Sequence, residues 1–314
     1  MSLTVGLLII YFLINYVWEY WDYIKANSIS IKWGMLLMSY AFGFCSYFMY
    51  SLAWHFIIRE EDSSLTFKES NYLLTNGNFG KYIPGRVWQF VGRIYLFNNR
   101  GLSKSKILMS ALLEQYFLLI TAFIIFGTTY VFWHELIQNN FVNNLRVIVI
   151  AGLFISIVSI HPKLILLCFK SLSKVNKKFE MDLTISCHFV IVIIVIYFLY
   201  WLFVGTSLLF LILGCFELPL IYIFYVIGSN AIAYIIGYIS IIAPNGLGVR
   251  EAVLTYNLEG ILTIGLGALI SILSRFMLII EEIGYLLFSI ALYKYNNKNK
   301  MWNKYINIIP LCKK

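Results

Sequence analysis

The sequence predicts an all-α integral membrane protein of about eight transmembrane helices, with two Pro/Gly-broken re-entrant elements arranged as an inverted repeat. Three observations carry that reading. The 314 residues are 61% hydrophobic and 12% charged, with mean hydropathy +0.80, whereas a soluble chain carries about a quarter charged residues. Several apolar runs hold no charge over about 20 residues, the length that crosses the hydrocarbon core, and their continuity excludes the alternating pattern of an outer-membrane barrel. Finally, the uncharged stretch between Glu217 and Arg250 breaks at Pro244-Asn245-Gly246-Leu247-Gly248 and is followed at once by Arg250-Glu251.

In chain order, the first span covers about residues 3–18. No positive charge precedes it, and Trp18-Glu19-Tyr20-Trp21 stands where a signal peptide has small residues, so it is read as a span. Trp18, Tyr20, Trp21 and Tyr23 form an interfacial aromatic belt. The second span is 33–58. Residues 65–106 hold apolar stretches too short to cross, broken at Asn76-Gly77-Asn78-Phe79-Gly80 and at Tyr82-Ile83-Pro84-Gly85, as a re-entrant segment requires. Spans follow at 107–132, at 147–160 (short, and stopped by His161-Pro162), at 188–213 and at 219–238. The broken element 239–266 and a last span, 269–292, complete one polytopic domain over residues 1–314. The tail, 293–314, has six lysines and no acid, and its apolar residues suit a turn or two lying on the membrane surface.

The net charge of +9 would suggest nucleic acid in a soluble protein; here it has a topological cause. Residues 81–106 hold six basic residues and no acid, and the loop after 163 and the tail are also lysine-rich. Placing all three in the cytoplasm satisfies the positive-inside rule with eight crossings of the cytoplasmic (inner) membrane and both termini inside. Glu114 lies 30 residues after Pro84, and Arg275 lies 31 residues after Pro244. Each half thus follows a proline-marked break with a span holding one ionisable residue. In this topology those two spans run oppositely, so the repeat halves are 65–132 and 239–292.

These breaks and charges are where chemistry is expected. Proline removes a backbone donor and glycine weakens a helix, so the element opens around Pro244. Opened backbone at membrane depth needs cover from protein or a water-filled cavity. Asn245, Arg250 and Glu251 are therefore read as one side of a binding groove, the alternative being a solvated loop at the membrane surface. On the other side, Lys81, Arg86 and Arg93 flank Pro84-Gly85, where exposed N–H groups beside cations suit a phosphate. The outer members Arg100, Lys104 and Lys106 read instead as topology signals touching anionic headgroups. A charge at the centre of a span costs about 2.5–3.5 kcal/mol on insertion scales. Glu114 and Arg275 must then pair or line a polar cavity. Their opposite signs leave two readings open, a mutual salt bridge locking the halves or a role in transport. Glu281 and Glu282 are further candidate partners for Arg250 or Arg275.

No phosphate-binding P-loop, nucleophile elbow, H-E-x-x-H or dinucleotide fingerprint occurs, so no nucleotide cofactor is expected. Five scattered cysteines and four distant histidines support neither a disulfide framework nor a metal site.

The residues from Pro244 to Val253, with Gly260, Ala268 and Arg275, resemble the C-terminal signature of the lysylphosphatidylglycerol synthase transmembrane region, or flippase-like, family. Gly80-Lys81-Tyr82-Ile83-Pro84-Gly85-Arg86-Val87-Trp88-Gln89, followed by Gly101, Ala111 and Glu114, resembles its N-terminal motif. That form is similar to members associated with envelope polysaccharide synthesis. The resemblance implies an inner-membrane protein of about eight spans, and its fused members translocate an aminoacylated phospholipid made by a soluble transferase domain. No such domain lies in these 314 residues, and where members often carry Glu-Arg this sequence has Glu114-Gln115. The function expected is that of a lipid translocase for an anionic phospholipid or polyprenyl-phosphate-linked glycolipid, with envelope polysaccharide enzymes as partners. The alternatives are a membrane-embedded glycosyl or aminoacyl transferase acting on a lipid carrier, and a non-transporting scaffold.

Overall fold

A computed structural model describes residues 11–22 except 13, 31–78, 80, 88–133, 140–175, 185–240, 246–262 and 265–308, without side-chain detail at 133, 140–146, 171–175 and 296–308. Among the described residues every regular element is a helix, and none is a strand. The elements are α1 (Trp33–Arg59), α2 (Phe67–Asn78), α3 (Trp88–Asn98), α4 (Lys104–Trp133) and α5 (Asn140–Ser159). They continue with α6 (Pro162–Val175), α7 (Cys187–Cys215), a 3-10 turn (Leu220–Tyr222), α8 (Ile223–Ile239), α9 (Val249–Leu258) and α10 (Leu266–Ile308). Five helices are long and apolar enough to cross a membrane: Trp33–Arg59, Lys104–Phe132, Cys187–Cys215, Leu220–Ile239 and Leu266–Tyr295. A sixth crossing is available if Val147–Ser159 and Pro162–Lys170, bent by 89°, count as one. The first expected span lies mostly outside the described residues, with 14–19 helical.

Three boundaries differ from the sequence reading. The helix expected at 147–160 begins at Asn140, so it is not short. Beyond it, Pro162 opens α6 where a loop was expected; proline fits the first helical position because the N–H it lacks has no partner there anyway. The basic tail continues α10 unbroken to Ile308.

Large apolar side chains point outward, among them Ile191, Val195, Phe276 and Ile280, while serine, threonine and asparagine are buried. This is how helices pack in lipid, where small and polar residues hold the interfaces together. The main seam joins α1 to α7, where Ser39 Oγ donates to the Ser207 carbonyl at 2.8 Å. Asn71 of α2 is clamped to α10: its Nδ2 donates to Ser289 Oγ at 3.0 Å, and Tyr285 donates to its Oδ1 at 3.1 Å. One core joins Phe117 of α4, Ile193 and Trp201 of α7 and Ala231 of α8; another joins Trp54, Leu74, Phe97 and Ile107 around α2 and α3.

The broken elements form short helices. At about 1.5 Å per residue, the 12, 11 and 10 residues of α2, α3 and α9 reach roughly halfway across a hydrocarbon core of about 30 Å. At each break the backbone folds back tightly at a pair of glycines. A Cβ on Gly92 would fall 2.6 Å from the Gly77 carbonyl oxygen, and one on Gly246 would fall 2.8 Å from that of Gly237.

Candidate functional site

Between the two broken elements lies a cavity of about 170 Å³. Both contribute to its wall: Asn78 and Gln89 come from α2 and α3, Gly237 and Arg250 from α8 and α9, with Arg275 and Glu282 from α10. Tyrosines complete the lining, Tyr47 and Tyr50 from α1, Tyr200 from α7, Tyr234 and Tyr238 from α8. The wall is thus aromatic and amide-rich, with cations on one side.

Local backbone geometry places the cations. Gly246 and Gly248 take positive φ, 66° and 82°, which a residue with a Cβ adopts only under strain. The turn they make starts α9 against α8, with Arg250 in the first turn of the new helix. Glu251 reaches back to accept the Gly248 N–H at 2.6 Å, which caps the helix and suits its positive end. Arg250 Nη2 then donates to Asn230 Oδ1 at 3.0 Å, and its guanidinium lies 6.0 Å from the Tyr234 ring centre. No carboxylate of the described residues comes within 4 Å of Arg250.

The intramembrane charges do not pair as the sequence allowed. Glu114 and Arg275 each take a partner from their own half. Glu114 is ion-paired with Arg93, which also bonds to the Tyr50 hydroxyl, donates through Nε to Asn78 Oδ1 at 2.7 Å, and stacks 4.7 Å from the Trp54 ring. Arg275 Nη1 lies 3.5 Å from Glu251 Oε1. The reason is local: each short helix folds back on the span that follows it, so the nearest counter-charge comes from the adjoining element. Arg93 and Glu114 are 2% and 0% exposed.

Of the residues read from sequence as binding, Arg250 and Arg275 line the cavity. Arg93 and Glu114 stand behind its wall and hold Tyr50 and Asn78, which do line it. Glu251 is buried beneath Arg275. Lys81, Arg86 and Asn245 lie outside the described residues. Among the outer basic residues, Arg100 meets Glu69 at 2.5 Å and Lys106 meets Glu61 at 2.9 Å, so both have protein partners. The tyrosines and the amides Asn78, Gln89, Gln115 and Asn230 were assigned no role from sequence; the polar Ser229-Asn230 in the middle of the apolar span 219–238 was the one available signal. Among the described residues no cluster of His, Cys, Asp or Glu forms a metal site.

With both proline-marked elements facing one interior cavity, the family comparison falls into place. Residues 1–280 match the family described as Lysylphosphatidylglycerol synthase TM region. The chain belongs to that family. It is accordingly a multi-pass membrane protein of the flippase-like type. No curated protein matches the chain. In this member of the lysylphosphatidylglycerol synthase TM region family, Gln115 stands directly after Glu114, where the resemblance often places a basic residue. Gln115 lines the cavity, and the cation for Glu114 comes instead from Arg93 on α3.

Proposed function

We propose that the protein translocates a lipid with a phosphate-bearing headgroup, an anionic phospholipid or a polyprenyl-phosphate-linked glycolipid, across the cytoplasmic membrane. The observation that carries this reading is Arg250: a guanidinium at membrane depth, lining a cavity, with no carboxylate of the described residues within 4 Å. An unpaired cation in low dielectric is costly, so its place beside Arg275 is best explained by an anion that visits it. A bare phosphate crossing hydrocarbon faces a barrier of order tens of kcal/mol. A lined cavity lowers that barrier for the headgroup while the acyl chains stay in lipid. A cavity of about 170 Å³ is on the scale of a headgroup and not of a whole lipid.

In this reading Arg250 and Arg275 hold the phosphate. Lys81 and Arg86 receive it from the cytoplasmic leaflet, and Asn245 belongs to the opened backbone beside Arg250. Arg93, Glu114 and Glu251 position that lining. The halves 65–132 and 239–292 are inverted repeats, a reading supported by the glycine-on-glycine fold-back at each break and by the two local ion pairs, Arg93–Glu114 and Glu251–Arg275. Both termini face the cytoplasm, and envelope polysaccharide enzymes supply or consume the lipid.

The test is headgroup flipping of fluorescent phosphatidylglycerol in vesicles reconstituted with the full chain. Arg250→Glu and Arg86→Glu are each expected to abolish it while the protein stays folded. Undiminished flipping in both variants would overturn the proposal.

A further inference from the structure

One buried charge takes no part in the arrangement above. Glu281 lies in α10, 1% exposed, next to the cavity-lining Glu282. Glu114 and Glu251 each have an arginine; Glu281 has no cation within 4 Å among the described residues, and the hydrogen bond it accepts is from a neutral donor, Ser207 Oγ at 2.9 Å. Ser207 in turn contacts Ser39 Oγ at 3.2 Å. A small void of about 20 Å³, room for a single water, is lined by Glu281, Ser207, Arg250 and Asn230 together. Asn230 Nδ2, which borders this void, is buried without a hydrogen-bond partner. Arg250, Asn230, Glu281 and Ser207 thus face one void, with Ser39 behind Ser207.

We propose that Glu281 is a proton-binding site coupled to anion occupancy at Arg250, so that a headgroup phosphate enters the cavity together with one proton. This inference rests on the translocase reading. A carboxylate buried beside a neutral hydroxyl is held neutral by its surroundings unless a cation compensates it. The compensating cation within reach is Arg250, across the void. When a phosphate occupies Arg250, that compensation is spent on the phosphate, and Glu281 binds a proton. When the phosphate leaves, Arg250 again favours the ionised carboxylate and the proton departs through the void. Coupling of this kind is reciprocal: protonation of Glu281 tightens anion binding by the factor by which the anion tightens proton binding. The other titratable or charged groups around Glu281 include Tyr200 of α7, Glu282 and Tyr285 of α10, and two tyrosines of α1. Of these, Tyr40 sets its hydroxyl on Gly284, and Tyr47 donates to the Leu278 carbonyl. Ser39 and Gly43 of α1 and Asn230 of α8 complete the surround and do not titrate.

The experiment uses the full chain in phosphatidylcholine nanodiscs, with short-chain phosphatidylglycerol as probe. Infrared difference spectra against pH are expected to show a buried-carboxyl band that is missing in Glu281→Gln and titrates apart from the solvated carboxylates. Adding probe moves its midpoint upward. Probe affinity of the unmodified chain falls by up to about tenfold per pH unit through that midpoint, and Glu281→Gln keeps the tighter affinity at every pH. A Glu281 band that titrates with ordinary carboxylates overturns the proton site. A probe affinity with the same pH slope in both proteins overturns the coupling. Absence of probe binding at every pH, unaltered by Arg250→Gln, overturns the translocase reading instead, and the band alone then decides the proton site. Should Glu281→Gln fail to fold, Glu281→Asp and the band of the unmodified chain carry the same test.

Discussion

Arg93 and Glu114 form an ion pair almost wholly withdrawn from the surface, with Tyr50, Asn78 and Trp54 occupying the remaining faces of the guanidinium. Removing one partner leaves the other as an uncompensated buried charge. Arg93→Leu and Glu114→Leu are each expected to lower stability by about 3–5 kcal/mol. The double variant Arg93→Leu/Glu114→Leu recovers most of that loss, because desolvation of the pair offsets much of its attraction. Thermal unfolding in detergent, read as a double-mutant cycle, measures the difference; equal losses in the single and double variants would refute the account.

The glycine contacts give a second expectation. Gly92→Ala forces a methyl group against the Gly77 carbonyl, and neither backbone has a flexible end to move aside. A cost of about 1–3 kcal/mol follows, as for overpacking elsewhere. Gly34 provides the control: it sits in the first turn of α1 with nothing within 4 Å of a built Cβ. Gly34→Ala should be neutral or stabilise by up to about 1 kcal/mol. Urea or thermal melts of the two variants would settle the contrast.

Much of this arrangement was readable in the sequence, and the unreadable part has a physical cause. Charge-free runs of span length disclosed α1, α7 and α8, apolar runs interrupted by a few charges disclosed α4 and α10, and Pro244 with its glycines disclosed the break before α9. The pairing of Glu114 was not readable. Its sign and depth required a partner, yet nothing along the chain says which way α3 folds back. Arg93 therefore looked as available to a phosphate as Lys81 or Arg86. The cavity tyrosines were hidden for another reason. A helix such as α7 is apolar all round because lipid and protein interior are equally apolar, so no polar face marks the side on which Tyr200 points inward. The absence of a loop between 163 and 175 was equally silent, since lysines spaced along α6 read alike in coil and in a surface helix.

Cavity charge predicts a third behaviour. Arg250→Gln keeps the amide contact with Asn230 within reach and removes the cation, so the fold should persist while anion binding is lost. With short-chain phosphatidylglycerol as probe, affinity is expected to fall by more than tenfold, as when one member of a charge-assisted contact is removed (about 1.5–3 kcal/mol). Arg250→Lys should restore part of it, since a point charge replaces a planar fork. Binding measured by calorimetry on the folded variants checks the order.

Glu251 carries two duties that one substitution separates. Its carboxylate accepts the Gly248 N–H at the start of α9 and faces Arg275 at 3.5 Å. Glu251→Gln retains an oxygen for the cap but gives up the charge, whereas Glu251→Ala gives up both. The alanine variant should lose the cap contribution, about 1 kcal/mol, beyond what the glutamine variant loses. Both variants remove the carboxylate that positions Arg275 at the cavity wall, so affinity for the anionic probe should fall in both. Undiminished probe binding in Glu251→Gln would refute the positioning role. Melting temperatures and probe affinities measured on the same two preparations separate the cap from the electrostatic effect.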